Sequence, residues 1–132
     1  MIGILDTGTS NIRSVMNACI NNKIEISVIN KYEPPRNFSG IIFPGVGNFG
    51  FVMKQLKKNK LDIFIKDYIK LNRPSLFICV GLQVLFSASE EDKDEKGLNI
   101  IEGLVKKIPI KFKDKTNTVP FNGWNHIKLI KK

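Results

Sequence analysis

Cys79 and a glycine-rich loop are the parts of this sequence whose residue types and positions could do chemistry. Cys79 lies in "FICVGLQVLF" (77–86), where an apolar run ends and Gly81 follows two residues later. This pattern is typical of a strand-to-helix elbow, in which a tight turn exposes the side chain and the positive end of the helix favours a thiolate. The Val80 N–H would then face the oxyanion that forms when the thiolate attacks a carbonyl carbon. Simple packing is the alternative, because free cysteine is among the most often buried residues.

The second candidate is the loop "PGVG" (44–47), which follows the apolar run "GIIF" (40–43). Its glycines either make a tight turn after a strand or hold backbone N–H groups outward as a small anion-binding nest. Together, a strand-end thiol and a neighbouring glycine-rich loop describe a site for acyl transfer.

The elements that must position these residues alternate between strand and helix patterns. Apolar or β-branched runs predict four strands, and apolar residues at helical spacing predict the helical segments. The strands are expected at 2–5, 24–29, 40–43 and 75–79, and the helical segments begin at a possible Ser10 cap, near Phe49 and from Gly81. Because the strands are apolar on both faces, we expect a buried, mostly parallel sheet covered by helices on both sides. Functional residues of such sheets collect beyond the carboxyl ends of the strands, where both candidate segments lie.

The last third of the sequence is predicted to hold a loop and further strands. The mixed-charge run "EEDKDEK" (90–96) is expected to be a surface loop, whereas "GLVKKIPIKF" and "WNHIKLI" alternate like antiparallel strands.

Composition narrows the class of protein. A chain of 132 residues forms one domain, and it has neither an apolar run of membrane-spanning length nor a signal peptide, so we expect a cytoplasmic protein. The net charge of +9 comes mainly from scattered lysines, which does not favour nucleic-acid or membrane binding. Cys19 and Cys79 lack metal-ligand spacing and are expected to be free thiols, with no metal.

Five ordered motifs resemble those of a known family: "DTGTSNIRSV", "IIFPGVGNF", "RPSLFICVGLQVLFSASEE", "GLNIIEG" and "VPFNGWN". They are similar to the glutaminase subunits of imidazole glycerol phosphate synthase, which are class I, triad-type glutamine amidotransferases. The resemblance extends to about Asn125 and implies a doubly wound α/β domain over 1–132, with no cofactor. It also implies that the chain takes ammonia from L-glutamine and passes it to a (β/α)8-barrel cyclase partner in histidine biosynthesis.

The resemblance assigns a role to each matched residue. Cys79 becomes the nucleophile that attacks the glutamine side-chain amide. The other assignments are Gly45, Val46, Gly47 and Val80 to the oxyanion hole, Gly81 and Gln83 to the substrate site, and Asn122 and Trp124 to the partner interface.

The sequence departs from the family pattern at three places. Phe77 stands where the family usually has glycine, which raises the question of whether its ring crowds the elbow, and Phe121 replaces a usual histidine. The family places its general-base His and Glu in a later "H-P-E"-type segment, and this chain stops at Lys132 with neither. Its only histidine, His126, is expected to be a strand residue and not a replacement base.

From these departures we expect an incomplete amidotransferase domain with impaired turnover and an exposed sheet edge. The alternatives are a paralogue that supplies ammonia to surface-sugar synthesis and a non-catalytic module that docks on a barrel partner.

Overall fold

The computed structural model describes residues 1–8, 11–112, 115–116, 119, 123–124, 126–128 and 130. Its centre is a parallel sheet with the strand order β2-β1-β3-β4. The strands are β1 (Ile2–Leu5), β2 (Ile26–Ile29), β3 (Gly40–Gly45) and β4 (Ser75–Cys79). They are connected by α1 (Ile12–Asn21), a 3-10 turn (Pro35–Asn37), α2 (Phe49–Lys58) and α3 (Leu61–Ile69). This confirms the α/β class and the parallel sheet predicted from the sequence.

The two faces of this sheet are covered unequally. One face carries Phe43, which lies in the main hydrophobic core with α2 and α3. The opposite face borders a groove that is shared with α1 and lined in part by Cys19, Leu76 and Ile78. Leu76 and Ile78 remain 53% and 40% exposed. Helices therefore lie on both sides, as expected, but the groove leaves apolar surface open.

The prediction that β4 is a buried strand is wrong. Within the described residues β4 pairs with β3 alone, so it forms an edge of the sheet. Its apolar composition predicted burial, but composition does not reveal how many strands lie beside it. An edge with apolar side chains matches the exposed edge that the sequence led us to expect.

The helical region predicted between β3 and β4 is two helices. The first ends at Lys58, and Lys60 then adopts a left-handed conformation with φ of 57°. A left-handed residue stops the regular helical path, so α3 starts in a new direction. Both helices contribute to the core, where the rings of Phe64 and Tyr68 stack with centroids 6.0 Å apart. Burial raises the pKa of Tyr68, although the nearby Arg73 opposes the shift.

A second, three-stranded sheet follows β4 in the order β6-β5-β7. A short helix, α4 (Val80–Gln83), leads into β5 (Phe86–Ser89), β6 (Asp92–Lys96) and β7 (Ile101–Val105), and β8 (Lys111–Phe112) pairs with β9 (Lys115–Thr116). Val84, Leu85 and Leu98 join this sheet to the main core.

Three expectations for this region are wrong. The run after Gly81 is helical only as far as Gln83, the charged run forms β6, and β7 pairs with β5 in parallel. The expected antiparallel pairing is found only at the end of "GLVKKIPIKF", where β8 pairs with β9. Long-range backbone bonds, such as Leu98 N–H to the Val84 carbonyl at 2.8 Å, override the local helical pattern. The described residues within 124–130 belong to no strand, and Ser10 lies outside the described residues. Among the described residues, no helix is long and apolar enough to cross a membrane.

Candidate active site

Cys79 occupies the elbow that the sequence predicted. It is the last residue of β4, lies opposite Gly45 in the strand register and directly precedes α4. Its thiol is free and exposed, and its backbone has φ of 55° and ψ of −122°. A positive φ is unfavourable for a residue with a side chain, and such strain is often found at functional sites.

We expect the strain at Cys79 to lower the free energy of unfolding. Glycine tolerates positive φ, so we expect Cys79→Gly to have a free energy of unfolding about 1 kcal/mol higher than Cys79→Ala. Cys19 provides the opposite control because it lies inside α1. There the free energy of unfolding of Cys19→Gly should be about 1 kcal/mol lower than that of Cys19→Ala. Urea denaturation of the four variants measures both differences. If Cys79→Ala is as stable as Cys79→Gly, the elbow is not strained in solution.

Two glycines allow the elbow to approach the end of β3. A Cβ added to Gly45 would lie 2.2 Å from the Gly81 backbone nitrogen, and one added to Gly81 would lie 2.7 Å from the Phe43 carbonyl oxygen. Neither position has room for a side chain. The glycines therefore bring Val80 and Gly81 directly against the strand that leads into the "PGVG" loop.

The loop itself is short and turns sharply. It runs from Gly45, the last residue of β3, to Asn48, with Gly47 at φ of 119° and Val46 51% exposed. Asn48 ends the loop by capping α2, since its side-chain oxygen accepts a bond from the Phe51 N–H at 3.0 Å. The predicted oxyanion residues thus lie on two segments that contact each other beside Cys79.

The ring of Phe77 packs into the core and does not crowd the elbow. Its ring packs edge-to-face on Phe43, with centroids 6.5 Å apart and planes at 86°. This is an ordinary core contact. The departure from glycine at this position is therefore accommodated by the core.

The other predicted residues are only partly brought together. Gln83 is the last residue of α4 and is half-buried, within one turn of the elbow. Trp124 is fully exposed, His126 is exposed outside any helix or strand, and Asn122 lies outside the described residues. The described part of the chain has no group of three or more His, Cys, Asp or Glu residues that could hold a metal ion.

Two residues near the site were missed by the sequence analysis. Asn48 could have been found, because Asn directly before a helical pattern is a strong cap signal. Glu91 accepts a hydrogen bond from the Phe49 N–H at 2.8 Å, across 42 positions of sequence. No local pattern predicts that contact.

Comparison with known proteins finds similar sequences and similar folds. No family model matches the chain. Two similar proteins are named imidazole glycerol phosphate synthase subunit HisH: that of Halalkalibacterium halodurans is 38% identical and that of Methanocaldococcus jannaschii 41% identical, each over 99% of this chain. The imidazole glycerol phosphate synthase hisHF of Schizosaccharomyces pombe is 37% identical over 95% of the chain, which covers 22% of that protein.

Solved structures support the same fold. A crystal structure titled as a glutamine amidotransferase matches with a TM-score of 0.64 at 18% identity, over 80% of this chain and 55% of that one. A putative peptidase E from Listeria monocytogenes matches with a TM-score of 0.53 at 16% identity, over 65% of this chain and 49% of that one. The chain spans about three-fifths of the length of the bacterial and archaeal HisH relatives, 62% and 63% in the two cases given. Over that stretch, this chain is similar to the HisH subunits of imidazole glycerol phosphate synthase, and it shares its fold with a structure titled as a glutamine amidotransferase.

Proposed function

We propose that this protein is a glutaminase that releases ammonia from L-glutamine, with Cys79 as the nucleophile. The observation that carries the proposal is the elbow, where an exposed thiol at positive φ lies opposite Gly45 and the "PGVG" loop. An exposed, strained cysteine is not explained by packing, which was the alternative interpretation. The names of the similar proteins support a role in histidine biosynthesis.

The chemistry follows from the residues at the elbow. The Cys79 thiolate attacks the side-chain amide carbon of glutamine, and the carbonyl electrons move to oxygen. The backbone N–H of Val80 and those of the loop Gly45, Val46 and Gly47 stabilise this oxyanion. Collapse breaks the carbon–nitrogen bond, and the nitrogen leaves as ammonia after accepting a proton. Water then hydrolyses the thioester, which yields glutamate and restores the thiol.

The proposed reaction also requires contacts to the substrate and a general acid–base group. Gln83 and Gly81 contact the bound glutamine, since both lie on the short helix that begins at the elbow. The proton for the leaving nitrogen and the activation of water require a general acid–base group. His126 is the only histidine of these 132 residues, and we assign it no such role because it is exposed outside any helix or strand.

The proposed partner is a (β/α)8-barrel cyclase that consumes the ammonia, in a cytoplasmic heterodimer. Three similar proteins are named as imidazole glycerol phosphate synthase or a subunit of it, which supports an assembly of this kind. Trp124 is a candidate contact because its side chain is fully exposed, and an exposed tryptophan is a common anchor of interfaces. Asn122 is proposed beside it from the sequence alone.

A labelling experiment tests the site without requiring turnover. A glutamine analogue with an electrophilic carbon in place of the side-chain amide is expected to modify Cys79 at least about tenfold faster than Cys19, because Cys79 is exposed and Cys19 is only 5% exposed. L-glutamine should slow the labelling of Cys79, whereas D-glutamine should not. Peptide mass spectrometry measures both rates.

Exposure alone would make Cys79 react faster than Cys19. The decisive measurement is therefore whether L-glutamine slows the labelling of Cys79. Iodoacetamide is the matched reagent, since it alkylates thiols but lacks the amino-acid part of glutamine. If L-glutamine protects Cys79 from neither reagent, or if the two cysteines label equally with the analogue, the proposed glutamine site is wrong.

A further inference from the structure

The loop Gly45–Asn48 is held on both sides by one stretch of chain, residues 79–92. On its upstream side, Gly45 pairs with Cys79 and contacts the backbone of Gly81. On its downstream side, α2 begins at Phe49 and is held by the turn between β5 and β6. The segment that carries the nucleophile therefore also fixes both ends of the loop.

Glu91 makes the downstream attachment. Its Oε2 accepts a hydrogen bond from the Phe49 N–H at 2.8 Å, at the first residue of α2. The backbone of Glu91 is fixed in turn, since its N–H donates to the Ser89 hydroxyl at 3.1 Å and Ser89 is buried. A carboxylate at a helix N-terminus also interacts favourably with the helix dipole.

Packing beside this bond leaves little freedom for α2 to shift. A Cβ added to Gly50 would lie 3.0 Å from the Asp92 Cβ and in severe overlap with the carboxylate of Asp92. At the other end of the helix, Lys57 forms an ion pair with Glu95 of β6 at 2.6 Å. With α2 held along its length, Val46, Gly47 and Asn48 must span a fixed distance between two anchors.

We propose that Glu91 is a positioning residue, which holds the loop beside Cys79 by accepting the Phe49 N–H. This inference rests on the proposed function, because it assigns to Glu91 the orientation of the loop N–H groups that would stabilise the oxyanion. These N–H groups act on the transition state more than on bound glutamine. Loss of the bond should therefore lower kcat more than it raises KM.

The kinetic test uses the protein assembled with its cyclase partner. Glu91→Ala is expected to lower kcat for glutamine hydrolysis about tenfold and to change KM less than about threefold. Glu91→Gln keeps a carbonyl acceptor for the Phe49 N–H and should remain within about threefold of the wild-type kcat. Glu90→Ala is the matched control, because Glu90 bonds the Lys107 N–H at 2.9 Å instead and its removal changes the charge equally.

Hydrogen exchange gives a readout that does not depend on activity. In Glu91→Ala the amides of the loop and the first turn of α2 should exchange faster, whereas Glu91→Gln and Glu90→Ala should match the wild type. Unchanged exchange in Glu91→Ala would overturn the positioning role. So would a raised KM with unchanged kcat in both Glu91 variants, since that result would mean that the carboxylate binds the substrate. If the wild type shows no Cys79-dependent hydrolysis, the proposed function fails, and the exchange data still decide the role of Glu91.

Discussion

Replacement of Cys79 by serine should lower the rate of glutamine hydrolysis by about a thousandfold or more in the protein assembled with the proposed cyclase partner. The hydroxyl is a much weaker nucleophile than the thiolate, and the elbow offers no second thiol, because Cys19 is buried in α1. Ammonia release from L-glutamine measures the effect. Supply of free ammonia to the partner reaction bypasses the glutaminase step and should restore product formation.

Cys19→Ser is the matched control for this prediction. It removes the other thiol of the chain and should leave glutamine hydrolysis within about twofold of the wild type, provided that the variant folds. Circular dichroism and the melting temperature check the fold of both variants. If Cys79→Ser retained most of the activity, Cys79 would not be the nucleophile and the proposed mechanism would be wrong.

Replacement of Gly45 by alanine should damage both stability and activity. Gly45 does not have positive φ, so the effect must come from contact, and its added Cβ would lie 2.2 Å from the Gly81 nitrogen. Backbone cannot rotate away as a side chain can, and overpacking of this kind costs about 1–3 kcal/mol. The elbow must move away from β3, and we expect glutamine hydrolysis to fall at least about tenfold. Urea denaturation and ammonia release measure the two effects.

Gly123→Ala controls for the change from glycine to alanine. Among the described residues, and apart from its neighbours in sequence, Gly123 has no atom within 4 Å of an added Cβ, so its replacement should change the free energy of unfolding by less than about 0.5 kcal/mol. If Gly45→Ala fails to fold, the rate of Cys79 labelling in the presence of a stabilising partner subunit provides a second measurement. A Gly45→Ala variant with wild-type stability and activity would show that α4 does not press against β3.

Features that depend on local spacing were predictable. The order of strands and helices through Cys79 followed from apolar periodicity, and the elbow followed from the abrupt change between "SLFIC" and Gly81. The parallel sheet followed from strands that are apolar on both faces. The similarity to HisH subunits followed from an ordered set of motifs, each of which is a short stretch of adjacent residues.

Features that depend on partners distant in the sequence were not predictable. The charged run after Glu91 became β6 because it pairs with β5, and the helical pattern after Gln83 gave way to backbone bonds with residues near Leu98. The exposure of Leu76 and Ile78 depended on what lies beside β4, which composition does not reveal.

The sequence by itself determined that a cysteine ends a strand, that a glycine-rich loop follows the neighbouring strand, and to which proteins the chain is similar. Only the tertiary structure decided that Gly45 and Gly81 meet with no room for a side chain, and that Glu91 holds the start of α2. The physical reason is the range of the interactions. Periodicity and turn propensity act between near neighbours, whereas the distance between a nucleophile and its loop is set by contacts that exist only after the chain has folded.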